Sequence, residues 1–204
     1  MILVGRYLSP FVRRVAATMH LYELPFEHRP YGVVGDDRPK IRDVNPLIRV
    51  PALILDDGET LIDSGAILDY LDERVGPERA LTPASGSQRR RVLKLMAVAT
   101  GAVEKAILVA YEKRYRPEEM RHPPWVEMIS EQSRSGFQWL DGEAGSPWLE
   151  GSRLTQADLT AASAYEFVRI AAPELFATFE TPKLEALSRE LGQLEAFRKT
   201  APPA

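Results

Sequence analysis

The 204-residue sequence contains no cysteine. That absence removes disulfides, a protein thiolate nucleophile and iron–sulfur ligation from what these residues can offer. Histidine is scarce: with only His20, His28 and His122, a classical zinc site is not expected. No apolar run approaches the roughly 20 residues that a membrane-spanning helix needs. Neither sign of charge dominates, with 26 basic against 29 acidic residues and a net charge of -3. Nothing in that balance favours a polyanion partner, so neither nucleic acid nor membrane is expected. The one basic run, Arg89-Arg90-Arg91, reads as a solvated helix face. The chain opens on a strand-like Ile2-Leu3-Val4 without a positively charged stretch before a long apolar core. A secretory signal is therefore not expected, and a cytoplasmic protein is the simplest reading.

What is present is ordinary globular composition, 45% hydrophobic and 27% charged, in a chain long enough for two modest domains. Residues 2–7 read as a strand. Ser9-Pro10 then opens a helix: serine is a good N-cap, and proline suits the first helical position, where its missing N–H has no partner anyway. Val12, Val15, Ala16 and Met19 give that helix one buried face. Residues 26–31 read as a second strand and 39–44 as a short helix. An apolar run over 50–55, the Asp56-Asp57-Gly58 turn and Thr60-Leu61-Ile62 read as a hairpin. Ser64 is read as the cap of a helix carrying Ile67, Leu68, Leu71 and Val75 on its apolar side. This order predicts a mixed sheet covered by helices, an α/β domain over residues 1–76.

Residues 77–86, rich in Gly, Pro and Ser, read as a linker. Residues 87–204 read as all helical, with long helices over 87–114 and about 124–142, a break between them, and a well-specified helix over 155–171. Thr155 is its N-cap and Asp158 stands at the third helical position, a short-chain version of the capping box, with Leu154 and Leu159 at hydrophobic-staple spacing. Thr200 to Ala204 is read as a frayed tail.

Four stretches together resemble the cytosolic glutathione transferase family: YLSPFVRRV at 7–15, NPLIRVPALILDDGETLIDSGAILDYLDE at 45–73, the proline-rich linker, and GSRLTQADLTAA at 151–162. The first stretch is similar to the serine-type members. The resemblance implies a thioredoxin-like domain followed by a C-terminal helical bundle, with glutathione as co-substrate. It also implies a two-fold homodimer and, as activity, conjugation of glutathione to a small hydrophobic electrophile.

The chemistry this implies is thiolate generation. A free thiol has a pKa of about 8.5, and lowering it by ~2 units takes ~2.7 kcal/mol of preferential anion stabilisation. Ser9 stands where a hydroxyl and free helix amides converge. The resemblance implies that it donates to the glutathione sulfur, whereas its residue chemistry alone is also satisfied by a plain N-cap. Ser9 is not read as the nucleophile, because no His/Asp relay is in view to activate it. Tyr7 is the alternative donor, ranked second because it falls inside the predicted strand, and Arg13 is a third candidate. The resemblance further implies a cis Val50–Pro51 bond, with the Val50 backbone reading the cysteinyl part. It assigns Asp63 and Ser64 to the γ-glutamyl end, and Arg49 and Lys40 to the glycyl carboxylate. Many family members carry Glu where this chain has Asp63. A hydrophobic co-substrate is expected against Tyr7, Phe11, Val103, Ile107 and Tyr111. Two alternatives stay open: a glutathione-dependent isomerase, and a non-catalytic glutathione-binding or dimer-scaffold module.

Overall fold

The computed structural model describes residues 1–202 and divides the chain into two units. The first holds residues 1–84 together with residues 192–202, and the second holds residues 85–191.

In the first unit the order is β1 (Ile2–Val4), α1 (Pro10–Leu21), β2 (Glu27–Arg29), a 3-10 turn, α2 (Arg38–Arg42), β3 (Ala52–Ile54), β4 (Thr60–Ile62) and α3 (Ser64–Val75). The sheet runs β2-β1-β3-β4, with β1 parallel to β2 and the other two pairings antiparallel. This is the mixed four-stranded sheet that the sequence predicts. Leu3, Leu53, Val12, Val15, Met19, Ile67, Leu68 and Leu71 are essentially fully buried and form its core. Burying one such side chain is worth about 1.5–3 kcal/mol, and a second cluster of buried Val4, Ile41 and Ala52 adds to them.

β1 ends at Val4 rather than running to residue 7. The reason is Gly5, at φ +130°, where a Cβ would stand 2.5 Å from Val12 Cγ2 and 2.8 Å from the Cβ of Val50. Only glycine permits that backbone conformation and that approach together. The chain leaves the sheet there, and Tyr7 lies in the following turn rather than in the strand.

The second unit contains α4 (Gly86–Tyr115), α5 (Pro123–Glu143), α6 (Gln156–Ala171), α7 (Pro173–Phe176) and α8 (Pro182–Leu191). α5 and α6 pack on α4, and α8 packs on α6. Gly136 lets α5 approach closely: a Cβ there would stand 2.7 Å from that of Ala102. No strand occurs among the described residues of this unit; Trp148 and Gly151 form one isolated bridge. The capping box of α6 is present in full. Asp158 Oδ2 accepts from the Thr155 N–H at 2.7 Å and from the Thr155 hydroxyl at 2.8 Å, and Oδ1 accepts from the Leu149 N–H at 2.7 Å.

The chain then departs from the expectation that everything after residue 87 belongs to the helical unit. The last helix, α9 (Glu195–Arg198), packs on α1. Phe197 is buried, and the Arg13 guanidinium lies over its ring, 4.0 Å from the centroid. Thr200, expected to fray, is buried, and its hydroxyl donates to the Phe197 carbonyl at 2.9 Å. Pro203 and Ala204, the end of that expected tail, lie outside the described residues. Among the described residues no helix is long and apolar enough to cross a membrane.

Candidate active site

Three segments of the first unit converge. The first is the turn from Gly5 to Ser9. Ser9 has extended backbone (φ -66°, ψ 121°) and caps α1, with its Oγ accepting from the Val12 N–H at 3.4 Å. That bond is long, and a hydroxyl that accepts one bond keeps its proton to donate elsewhere. The turn itself is pinned. The Ser9 N–H donates to the Arg6 carbonyl at 3.0 Å, and the Gly5 N–H donates to the Arg29 carbonyl at 2.9 Å. The Gly5 carbonyl meets His28 Nε2 at 2.7 Å, and the Tyr7 ring stacks on the His28 ring at 4.0 Å, only 3° from parallel. Burial pushes the Tyr7 phenol above its ordinary pKa, so it stays a neutral donor.

The second segment precedes β3. The Val50–Pro51 peptide is cis, as the resemblance implies. Among the described residues, neither the N–H nor the C=O of Val50 has a backbone partner. Asn45, buried, organises the loop before it: its Oδ1 accepts from the Leu47 N–H at 2.9 Å and its Nδ2 donates to the Arg49 carbonyl at 2.8 Å. Arg49 is exposed.

The third segment starts α3, and here the cap differs from the expected one. The N-cap is Asp63, at φ +69°, whose Oδ1 accepts from the Gly65 N–H at 2.7 Å; Ser64 is the first helical residue. Both residue types cap well, and the chain bends into the helix one residue earlier than the serine suggested. Ser64 is buried, and its Oγ accepts from two nitrogens of Arg14, Nη2 at 2.6 Å and Nε at 3.2 Å. Two accepted bonds fill the lone pairs of a hydroxyl, so Ser64 is left as a donor.

The remaining expected residues lie on α1, α2 and α4. Lys40 is exposed on α2, paired with Asp37 at 3.0 Å and lying over the Tyr31 ring at 4.7 Å. Arg13 is buried against Phe197 rather than solvated. Phe11 is half-buried on α1. Val103, Ile107 and Tyr111 belong to the helical unit, on α4, where Val103 is buried and Tyr111 is exposed.

Residues 3–79 match the family model described as the glutathione S-transferase N-terminal domain. Over its whole length the chain is 31% identical to a glutathione transferase family member from Pseudomonas fluorescens Pf-5, covering 100% of both chains with a TM-score of 0.85. The chain belongs to the glutathione transferase family. That Pseudomonas protein was solved with bound S-(propanoic acid)-glutathione. Among the curated relatives of this transferase-family chain are the GST-like protein YibF of Escherichia coli K12, 27% identical over 98% of each chain, and the maleylacetoacetate isomerase of Pseudomonas aeruginosa PAO1, 28% identical over 96% of this chain and 93% of the relative.

For this family member, sequence reasoning passed over three residues that the structure brings to the site: Arg14, His28 and Asn45. Asn45 carried a readable signal, since Asn-Pro marks a turn. Arg14 and His28 carried none. Each meets its partner across 50 and 23 residues of chain respectively, and only the fold brings them together.

Proposed function

We propose that the protein is a glutathione-dependent enzyme that conjugates glutathione to a hydrophobic electrophile, with Ser9 stabilising the thiolate. The observation that carries the reading is the linkage of the three segments. Gly5 is wedged between Val12 and Val50, and Arg14, on the helix that Ser9 caps, holds Ser64 on α3. The donor set fits a tripeptide with an anionic carboxylate at each end and a thiol between. When bound, glutathione supplies the nucleophilic sulfur. The Ser9 hydroxyl donates to that sulfur as it loses its proton, and the first-turn amides of α1 add their partial positive charge. Val50 offers a backbone donor and acceptor to the middle of the ligand. Ser64 donates to the γ-glutamyl carboxylate with the Arg14 guanidinium behind it, and Asp63 faces the ligand amine. Arg49 and Lys40 are the cations for the glycyl carboxylate, and Lys40 must be shared with Asp37.

The likeness to the Pseudomonas protein with a bound glutathione adduct supports this reading, and the Pseudomonas aeruginosa relative favours isomerisation as the second one. Turnover of a generic aryl halide and of a cis dienoic acid, each with glutathione, separates them; glutathione binding without turnover of either would leave a binding module. For the thiolate role, Ser9→Ala removes one charge-assisted hydrogen bond, worth ~1.5–3 kcal/mol. The bound thiol's pKa should rise by ~1–2 units. Ultraviolet thiolate absorbance against pH at saturating glutathione reads this out, and an unchanged titration would end the proposed role. As in the family at large, the working form proposed is a two-fold dimer. A monomer mass by sedimentation at micromolar concentrations would refute that.

A further inference from the structure

The imidazole of His28 reaches the turn that carries Ser9 in two ways. It lies on β2, paired in register with Leu3 of β1, so its ring stands beside the end of β1. Its Nε2 meets the Gly5 carbonyl at 2.7 Å, and its face stacks on the Tyr7 ring at 4.0 Å. A carbonyl only accepts, so Nε2 carries a proton, in the neutral ring as well as in the cation. The same Gly5 is packed against Val50, the residue before Pro51, and against Val12, whose N–H bonds Ser9 Oγ. One imidazole therefore holds the start and the middle of a turn only a few residues long, beginning at the glycine where the Ser9 and Val50 segments touch.

We propose that His28 is a positioning residue for the thiolate site, setting the height of the Gly5–Ser9 turn through its bond to the Gly5 carbonyl, while the stack on Tyr7 steadies the ring, so that Ser9 Oγ and the Val50 backbone address the same ligand. The inference rests on the Ser9 reading above. A side chain that only filled space under β1 would be replaceable by any planar ring. A positioning residue needs the Nε2–H.

Two variants divide the contacts. His28→Phe keeps a flat ring for Tyr7 and loses the hydrogen bond, whereas His28→Gln keeps a donor near the position of Nε2 and loses the ring. The measurements are the thiolate titration at saturating glutathione, glutathione affinity by calorimetry, and thermal unfolding of the ligand-free protein, on wild type, both variants and Ser9→Ala. His28→Phe is expected to raise the bound thiol's midpoint by about 0.5–1 pH unit, about a three- to tenfold fall in its acid dissociation constant. Glutathione affinity should change less than twofold, and His28→Gln should restore the midpoint even where its melting temperature is as low as that of His28→Phe. If Ser9→Ala shifts the titration and His28→Phe does not, or if Gln fails to restore it, the inference is overturned while the Ser9 reading stands. If Ser9→Ala leaves the titration unmoved, the Ser9 reading falls and takes this inference with it. Nitrogen NMR of the ligand-free protein gives a check independent of glutathione: a neutral His28 protonated at Nδ1 rather than Nε2 would also overturn it.

Discussion

A buried guanidinium needs acceptors, and Arg14 takes one from Ser64. In the proposed site the exchange matters, because it turns an amphoteric hydroxyl into a donor and sets a positive charge behind it. Ser64→Ala should therefore do two things. Glutathione affinity should drop by roughly tenfold, for the loss of one charge-assisted bond of ~1.5–3 kcal/mol partly replaced by water. The bound thiol's pKa should hold, because Ser9 and the first turn of α1 are intact. Calorimetry and the thiolate titration on the same variant test the split, and a pKa shift as large as that of Ser9→Ala would refute it. At this scale the sequence was legible wherever the chemistry is local. Ser9-Pro10 announces a helix start without help from the fold. Asp63 and Ser64 were legible as a pair, but which of them caps depends on a φ of +69° at Asp63 that no composition announces. Arg14 was not legible at all: an arginine one turn into a helix is usually solvated, and here it is only 5% exposed because its acceptor sits on another helix.

Elements follow the same division. The start of α6 could be read because Thr155 and Asp158 are three residues apart and bond each other, with Leu149 close by in the chain. Burial raises the Asp158 pKa while those bonds pull it down, so the carboxylate is held in a dry place by the N–H groups around it. Asp158→Ala should leave the Leu149 and Thr155 N–H groups buried and unpaired. At ~1–3 kcal/mol each, the loss should be about 3–5 kcal/mol in denaturant unfolding, against under ~1 for the exposed Asp69→Ala. The junction of α1, α3 and the linker is the opposite case. The Tyr22 hydroxyl donates to Asp72 and accepts from the Leu81 N–H at 2.7 Å, while Asp72 also accepts from the Thr82 N–H at 3.2 Å. Those partners are scattered in sequence, and none was anticipated. Burial, reinforced by Asp72, holds the Tyr22 phenol well above its ordinary pKa. An unfolded tyrosine ionises near pH ~10. The stabilising contribution of Tyr22 is thus complete below that pH and is lost as pH rises beyond it, because the unfolded chain then binds fewer protons than the folded one. Unfolding free energy should fall between about pH 10 and 11 by up to ~1.4 kcal/mol per unit from this group. In Tyr22→Phe that slope should be shallower, and equal slopes would mean that other tyrosines carry it.

For the whole molecule, the division into a sheet unit and a helical unit was legible from the change in periodicity and the linker that follows Gly76. The return of the chain was not, because residues 192–202 carry no pattern that names their partner. That return changes what a unit is. The cover of α1, the helix that Ser9 caps, includes Phe197, which is 2% exposed and sits under the Arg13 guanidinium. A fragment ending at the linker would strip α1 of that cover. Phe197→Ala should then cost about 3–5 kcal/mol, the usual range for emptying a buried aromatic site. The loss should be localised: amide hydrogen exchange should quicken along α1 and around the Ser9 turn, while the core of α4 and α6 keeps its protection until global unfolding. Truncation after Leu191 should reproduce the pattern more strongly. If exchange instead quickened equally in α1 and in α6, or only in the helical unit, the last segment would be stabilising the chain as a whole and not serving as part of the unit that carries the site.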